Sequence, residues 1–230
     1  DLQHVPFLQI IDGGPCTVGI ESTVLKLDTT SIPRCVRLLR RGGVAEERLE
    51  AFLADCFAQG KLQEPVSFVA SKRSPVVKEE GEAQQAPGML LKHYAPSVLT
   101  VLLSGQGICH ERMDALPRRT VLIDFNRGRN EQRHIFLKVF DLCEDAHSSA
   151  DAAEEACRHV FSTLRTAEAF ALAEKAEMIC ITDFDPSGLS GYAQALHDRL
   201  FRSASGRRVI LKSANEPEFW SVKEAKEESS

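Results

Sequence analysis

Met178-Ile179-Cys180-Ile181-Thr182, followed after the polar stretch 183–190 by Gly191-Tyr192-Ala193-Gln194-Ala195-Leu196-His197-Asp198-Arg199-Leu200, is the passage that decides the fold. The first run is short and apolar and gives way to Asp, Pro and Gly, the pattern of a buried strand. The second sets Ala195, Leu196 and Leu200 on one face at helical spacing, which makes a helix of Gly191 to Ala204. Upstream, Asp151 to Ala173 repeats the helical pattern at Ala152, Ala156, Val160, Phe161, Leu164 and Ala167, with Ser148 or Ser149 as N-cap. Before it, Val98–Leu103 and Thr120-Val121-Leu122-Ile123-Asp124-Phe125 read as strands, and Ile135–Phe140 as a further one. Strands that alternate with helices in this way imply an α/β fold, an open sheet of mainly parallel strands.

The first part of the chain is organised differently. Phe7–Ile11, Ser22–Leu27 and Cys35–Leu39 read as short strands, and Glu46–Leu53 has helical spacing. Residues 60–96 hold Pro65, Pro75, Pro87 and Pro96 and the run Lys78-Glu79-Glu80-Gly81-Glu82, with apolar periodicity only at Val66–Val69. That composition is a linker. The expected division is 1–58, an incomplete α/β segment; 59–96, the linker; 97–215, the second domain; and 216–230, a charged, disordered tail.

Bulk composition excludes several classes of function. The 230 residues are 43% hydrophobic and 27% charged, an ordinary globular balance. A net charge of -5 offers no global attraction to nucleic-acid phosphates, so no direct nucleic-acid binding is expected. No apolar run approaches the ~18 residues of a membrane span. The seven cysteines are scattered without a CxxC pair, which argues for reduced, mostly buried thiols and against a metal site. The histidines, His93 aside, have no ligand spacing. Asp124 and Asp185 read as strand-end or loop residues.

Three segments carry chemistry. Asp12-Gly13-Gly14-Pro15-Cys16-Thr17-Val18-Gly19-Ile20-Glu21-Ser22-Thr23-Val24 joins a glycine-rich turn, whose N–H groups can approach an anion, to the hydroxyls of Ser22 and Thr23. Leu38-Leu39-Arg40-Arg41-Gly42-Gly43 puts a guanidinium at a strand end, where it can fork onto phosphate. Ala86-Pro87-Gly88-Met89-Leu90-Leu91-Lys92-His93-Tyr94-Ala95-Pro96 clusters a cation, an imidazole and a phenol inside the linker. A linker carrying such groups is suited to closing over a site. On physics alone each segment also has a plain reading, as a structural turn, a solvated arginine or a docking strap.

Taken together and in this order, the segments resemble the threonylcarbamoyl-AMP synthases of the two-domain Sua-five type. That family joins a YrdC-like catalytic domain to a Rossmann-like C-terminal domain through a linker. Its patterns DGG, G-x-E-S-T-V and L-R-P-G appear here as Asp12-Gly13-Gly14, Gly19-Ile20-Glu21-Ser22-Thr23-Val24 and Leu39-Arg40-Arg41-Gly42. The linker pattern S-P-G-M-K-Y-R-H-Y-A-P appears as residues 86–96. Gly188-Leu189-Ser190-Gly191-Tyr192-Ala193 resembles G-L-G-x-A-I, and Asp198-Arg199-Leu200 with Arg202-Ser203-Ala204 resembles N-R-L-x-R-A-A. The departures are Arg41 for Pro, Leu90 and Leu91 for Lys-Tyr, Lys92 for Arg, and a longer stretch between Ser22 and Arg40.

The resemblance implies an ATP-dependent nucleotidyltransferase. L-threonine, bicarbonate and ATP, with Mg2+ expected, give threonylcarbamoyl-AMP and pyrophosphate, and the product passes to the tRNA-modifying machinery in the cytoplasm. It assigns Ser22 to threonine, Arg40 to ATP phosphate, and Lys92, His93 and Tyr94 to the ATP side of the linker, with no catalytic residue and no protein metal site. Glu21 and Thr23 are weaker assignments, with fold support as the alternative. The chain opens on Asp1 and lacks the family's upstream basic motif, so by itself it is expected to be an inactive fragment. The alternative is a nucleotide- or partner-binding regulatory module with a non-catalytic YrdC-like remnant.

Overall fold

The computed structural model describes residues 5–14, 16–30, 34–70, 94–104, 119–125, 130–143, 149–211 and 220–223. Two sheets are built. The smaller has the order β1-β2-β3, from β1 (Val24–Asp28), β2 (Cys35–Arg40) and β3 (Ser67–Ala70). Strands β1 and β2 are antiparallel, while β3 runs parallel to β2 with Val36 opposite Phe68. Helix α1 (Glu46–Ala58) lies between β2 and β3 in sequence.

The larger sheet has six strands in the order β6-β5-β7-β4-β8-β9. They are β4 (Thr100–Leu103), β5 (Thr120–Asp124), β6 (Lys138–Asp141), β7 (Met178–Thr182), β8 (Arg208–Leu211) and β9 (Trp220–Lys223). All neighbours pair in parallel except β8 and β9, so five parallel strands carry one antiparallel edge. Helix α2 (Ser149–Ala173) joins β6 to β7, and α3 (Gly191–Ser203) joins β7 to β8. Both crossovers run in the same direction along the sheet, and the right-handed rule then puts both helices on one face.

The strands show why the sheet is buried on both sides. Leu102, Val121, Ile123, Ile179 and Ile181 alternate inward toward α2 and α3. Val101, Leu103, Leu122, Met178 and Cys180 face the other way, against Phe136 and Val209. A central strand apolar at every position belongs to a parallel sheet covered on both faces. Ala152, Ala153, Ala156, Ala167 and Ala171 of α2 are fully or almost fully buried, and their small side chains let the helix sit close to the sheet.

This is the α/β architecture expected from the sequence, with four differences. Phe7–Ile11 forms no strand; Phe7, Ile10 and Ile11 are exposed and Phe7 has a φ of 64°, and among the described residues no neighbouring strand offers a ladder. Ile135–Phe140 is split into a 3-10 turn (Asn130–Ile135) and β6, since Phe136 turns down into the core of the second face. Ser67–Ala70 lies in the stretch read as linker yet pairs with β2. Trp220–Lys223 lies in the stretch read as tail yet pairs with β8, Leu211 opposite Trp220.

At the carboxyl ends of β4 and β7, polar groups lock the sheet to α3. Asp183 accepts hydrogen bonds from Ser104 Oγ at 2.6 Å and Arg208 Nε at 3.0 Å, and His197 Nε2 lies 3.0 Å from its other oxygen. Burial opposes the charge of Asp183, but His197, Ser104 and Arg208 outweigh it and hold the carboxyl well below the usual carboxylate range. A depressed folded-state pKa contributes stability that is complete above the unfolded value, near 3.9, and is lost as pH falls through the folded one. Asp183→Asn therefore lowers stability at pH 7 by about 1–3 kcal/mol and flattens the acid limb below about pH 4, as read by urea denaturation across pH.

Candidate functional site

Of the residues singled out for substrate, Ser22, Arg40 and Tyr94 are described, and they lie where the small sheet abuts the α2–α3 helices. Ser22 precedes β1 and Arg40 ends β2, and the antiparallel register sets Val24 opposite Arg40. The strands therefore bring the two motif residues together. Arg40 Nε and Nη2 donate to the Ser22 carbonyl at 3.2 and 3.0 Å, and Nη2 also reaches Ser22 Oγ at 3.3 Å. Thr23 does not face this group. Its hydroxyl donates to the Val44 carbonyl at 2.8 Å and accepts from Val44 N–H at 3.0 Å, which pins the loop after β2 to the start of β1.

Tyr94, at the end of the linker motif, reaches the same place. Its hydroxyl donates to Glu21 Oε1, and its ring packs on Phe161 of α2 with centroids 4.5 Å apart. Burial and the negative charge of Glu21 push the phenol up to about 12, against the smaller opposing pull of Arg199 and Arg40. Glu21 is held below the usual carboxylate range: burial works against its charge, but the Tyr94 hydrogen bond and the charge of Arg199 prevail. Lys92 and His93 lie outside the described residues.

Sequence reasoning placed Arg199 in the N-R-L-x-R-A-A resemblance but gave it no role at the site. It is only 2% exposed, on the core face of α3. Its Nε donates to Glu21 Oε2 at 2.9 Å, Nη2 to the Arg41 carbonyl at 2.8 Å, and Nη1 to Asp198 Oδ2 at 3.0 Å. The signal was present: Arg199 falls in the same helical stripe as Ala195, Leu196 and Leu200, where a charge is out of place unless paired.

Other contacts tie the two parts together. Arg158 Nε donates to the Thr17 carbonyl at 3.0 Å, Tyr192 hydroxyl to the Gly43 carbonyl at 3.2 Å, and Gly191 N–H to Glu47 Oε1 at 2.8 Å. Gly19 has a φ of 78°, and a Cβ there would stand 2.4 Å from the Arg158 backbone. Gly42 is as tight, since a Cβ would meet the Glu21 carbonyl at 2.3 Å. These two motif glycines permit backbone approach within the protein. Gly13 and Gly14 are exposed, with Gly14 N–H bonded to Asp12 Oδ1 at 2.8 Å.

The acidic residues outside these motifs have structural partners. Asp124 is fully buried at the end of β5 and accepts from Thr182 Oγ1 at 2.7 Å and Arg133 Nη2 at 3.0 Å. Asp185 accepts from Ser187 N–H at 2.9 Å. Among the described residues no group of three His, Cys, Asp or Glu side chains converges as a metal site, and no helix is long and apolar enough to cross a membrane. Cys35, Cys143, Cys157 and Cys180 are buried and not joined in disulfides, and burial pushes the Cys157 thiol up to about 12.

The family described as "Threonylcarbamoyl-AMP synthase, C-terminal domain" matches residues 44–205. The chain belongs to that family. A threonylcarbamoyl-AMP synthase of Pyrococcus abyssi is 28% identical over 204 residues, covering 87% of this chain and 50% of the relative. One of Bacillus subtilis is 32% identical over 96 residues, covering 42% of this chain and 22% of the relative. The structure of Pyrococcus abyssi Sua5 complexed with L-threonine superposes with a TM-score of 0.52 and 22% identity, over 85% of this chain and 48% of that one. That likeness supports the α/β fold. This chain thus spans about half the length of the Pyrococcus relative.

The Tyr94–Glu21 contact sets an optical prediction. Titration at 295 nm shows a tyrosine ionising near 12, and Tyr94→Phe removes that phase. Glu21→Gln returns it toward the ordinary value of about 10. An acid whose folded pKa is raised contributes stability that is complete below its unfolded value, about 10, and is lost as pH climbs through about 12, so the variants fall below wild type at neutral pH and converge with it at alkaline pH.

Proposed function

We propose that the complete protein containing this chain is an L-threonylcarbamoyladenylate synthase. It condenses L-threonine, bicarbonate and ATP to threonylcarbamoyl-AMP and pyrophosphate, for the N6-threonylcarbamoyladenosine modification of tRNA in the cytoplasm. The observation that carries this reading is the convergence of Ser22, Arg40 and Tyr94, from three separate family motifs, on one locality. The Pyrococcus homologue bound to L-threonine supports threonine as the amino-acid substrate.

The proposed roles follow from the side chains. Ser22 holds threonine through its hydroxyl, and Arg40 beside it holds ATP phosphate, so the carbamate nitrogen source and the phosphate lie close together. Such a reaction needs juxtaposition and offset of phosphate charge more than a covalent intermediate. Tyr94, with Lys92 and His93, closes the linker over the nucleotide. The described residues do not fit a protein-held magnesium: Glu21 is engaged by Tyr94 and Arg199, its acidic neighbour Asp198 is engaged by Arg199 and Arg202, and no group of three such side chains converges among the described residues. Mg2+ enters this reading only as a companion of ATP. Residues 1–58 serve as part of the catalytic domain, 59–96 as the linker and 97–215 as the C-terminal domain. The product passes to the tRNA-modifying machinery without direct nucleic-acid binding by this chain.

The test is pyrophosphate release dependent on threonine, bicarbonate and ATP. The complete protein releases it and the isolated chain does not. Ser22→Ala raises KM for threonine selectively. Arg40→Gln raises KM for ATP about tenfold or more, the loss of a charge-assisted contact worth ~1.5–3 kcal/mol. A complete protein that releases no pyrophosphate under these conditions overturns the proposal.

A further inference from the structure

The geometry points to Arg199 as the positioning residue through which the C-terminal domain sets Ser22 and Arg40. This inference rests on the synthase reading for its consequence in turnover, but its structural basis is independent of it. Arg199 grips the residue before Ser22 through the Glu21 carboxylate, and the residue after Arg40 through the Arg41 carbonyl. One planar guanidinium therefore fixes the chain on both strands at the point where the two site residues face each other. Its Nη2 is shared between the two grips, 2.8 Å from Glu21 Oε2 and 2.8 Å from the Arg41 oxygen.

The other groups facing this joint are consistent with that role. Asp198 takes the remaining arm of Arg199 and is itself held by Arg202 at 3.0 Å. Tyr94 takes the second oxygen of Glu21, so the linker is tied to the same joint. A planar, five-donor head holds a carboxylate and a carbonyl at once; a lysine ammonium supplies charge but not that fork. Breaking one partner of such a buried pair leaves a charge uncompensated, so the loop moves to satisfy it.

The experiment uses Arg199→Lys and Glu21→Gln in the complete protein, with the same changes in this chain. Arg199→Lys raises KM for threonine and ATP together, each by about tenfold, because both site residues shift, whereas Ser22→Ala moves threonine alone. The double variant is no worse than the worse single one, as expected for two residues acting through one contact. In this chain Arg199→Lys loosens the pull of the guanidinium on Glu21 and on the phenol, so the Tyr94 ionisation moves further up from about 12, a readout that needs no turnover. If Arg199→Lys does not fold, Glu21→Gln reaches the joint from its more exposed side and is read by the same rise in both KM values. Unchanged KM values, or effects of the two single changes that simply add, overturn the inference. Absence of turnover in the wild-type complete protein strikes the synthase reading instead; the phenol titration then decides the joint, upholding it if the ionisation moves and overturning it if it stays.

Discussion

The buried ion pair between Arg199 and Glu21 is the constraint on which the arrangement of the two sheets depends. Removing a guanidinium from water is costly, and the cost is offset only when every arm finds a good partner. Here the partners come from three places: Asp198 on the same helix, Glu21 before β1 and the Arg41 carbonyl after β2. The Arg199 side chain is satisfied only while the small sheet is docked, so the docking has one geometry and not a range. Such a pair contributes little net stability compared with an apolar replacement, but it specifies register.

Around that pair the contact is polar in a particular way. Ile20 packs against the α2–α3 core, and close backbone approach at Gly19 brings the chain onto α2. Glu47 meets the first N–H of α3, where the positive end of the helix favours a carboxylate. Downstream, Ser97 N–H and Oγ both donate to Glu168 Oε1 at 2.6 Å, anchoring the linker's exit to α2. The small sheet and the linker end are thus fastened to the same two helices that cover one face of the large sheet.

Much of the large domain was legible because burial on both faces leaves an unmistakable apolar run, as at Met178–Thr182, and because α2 and α3 keep clean helical spacing. The elements misread were those whose fate depends on a partner distant in sequence. Phe7–Ile11 has strand composition but no neighbour, while Ser67–Ala70 and Trp220–Lys223 sit in polar surroundings and become strands because β2 and β8 present open edges. At the site, Ser22, Arg40 and Tyr94 were legible through their motifs. Arg199 lay in a motif too, the N-R-L-x-R-A-A resemblance, but received no role, because a charge in a helix reads by default as solvated and its phase relative to Ala195, Leu196 and Leu200 was not weighed.

The motif glycines also acquire a different physical explanation from the one composition suggests. A glycine-rich turn invites the reading that its N–H groups cradle an anion. Yet Gly19 lies against the backbone of α2 and Gly42 against the Glu21 carbonyl, so their missing side chains make room for protein. The helices hold this segment largely by its carbonyls: Arg158 on Thr17, Arg199 on Arg41 and Tyr192 on Gly43. Carbonyls are common to every residue type, so gripping them fixes the path of the chain without spending its side chains. Glu21 is the one side chain of the G-x-E-S-T-V motif given to the large domain through an ion pair. Its neighbour Ser22 is thereby left paired with Arg40 across the strands, a hydroxyl and a guanidinium side by side on a backbone that α2 and α3 hold in place.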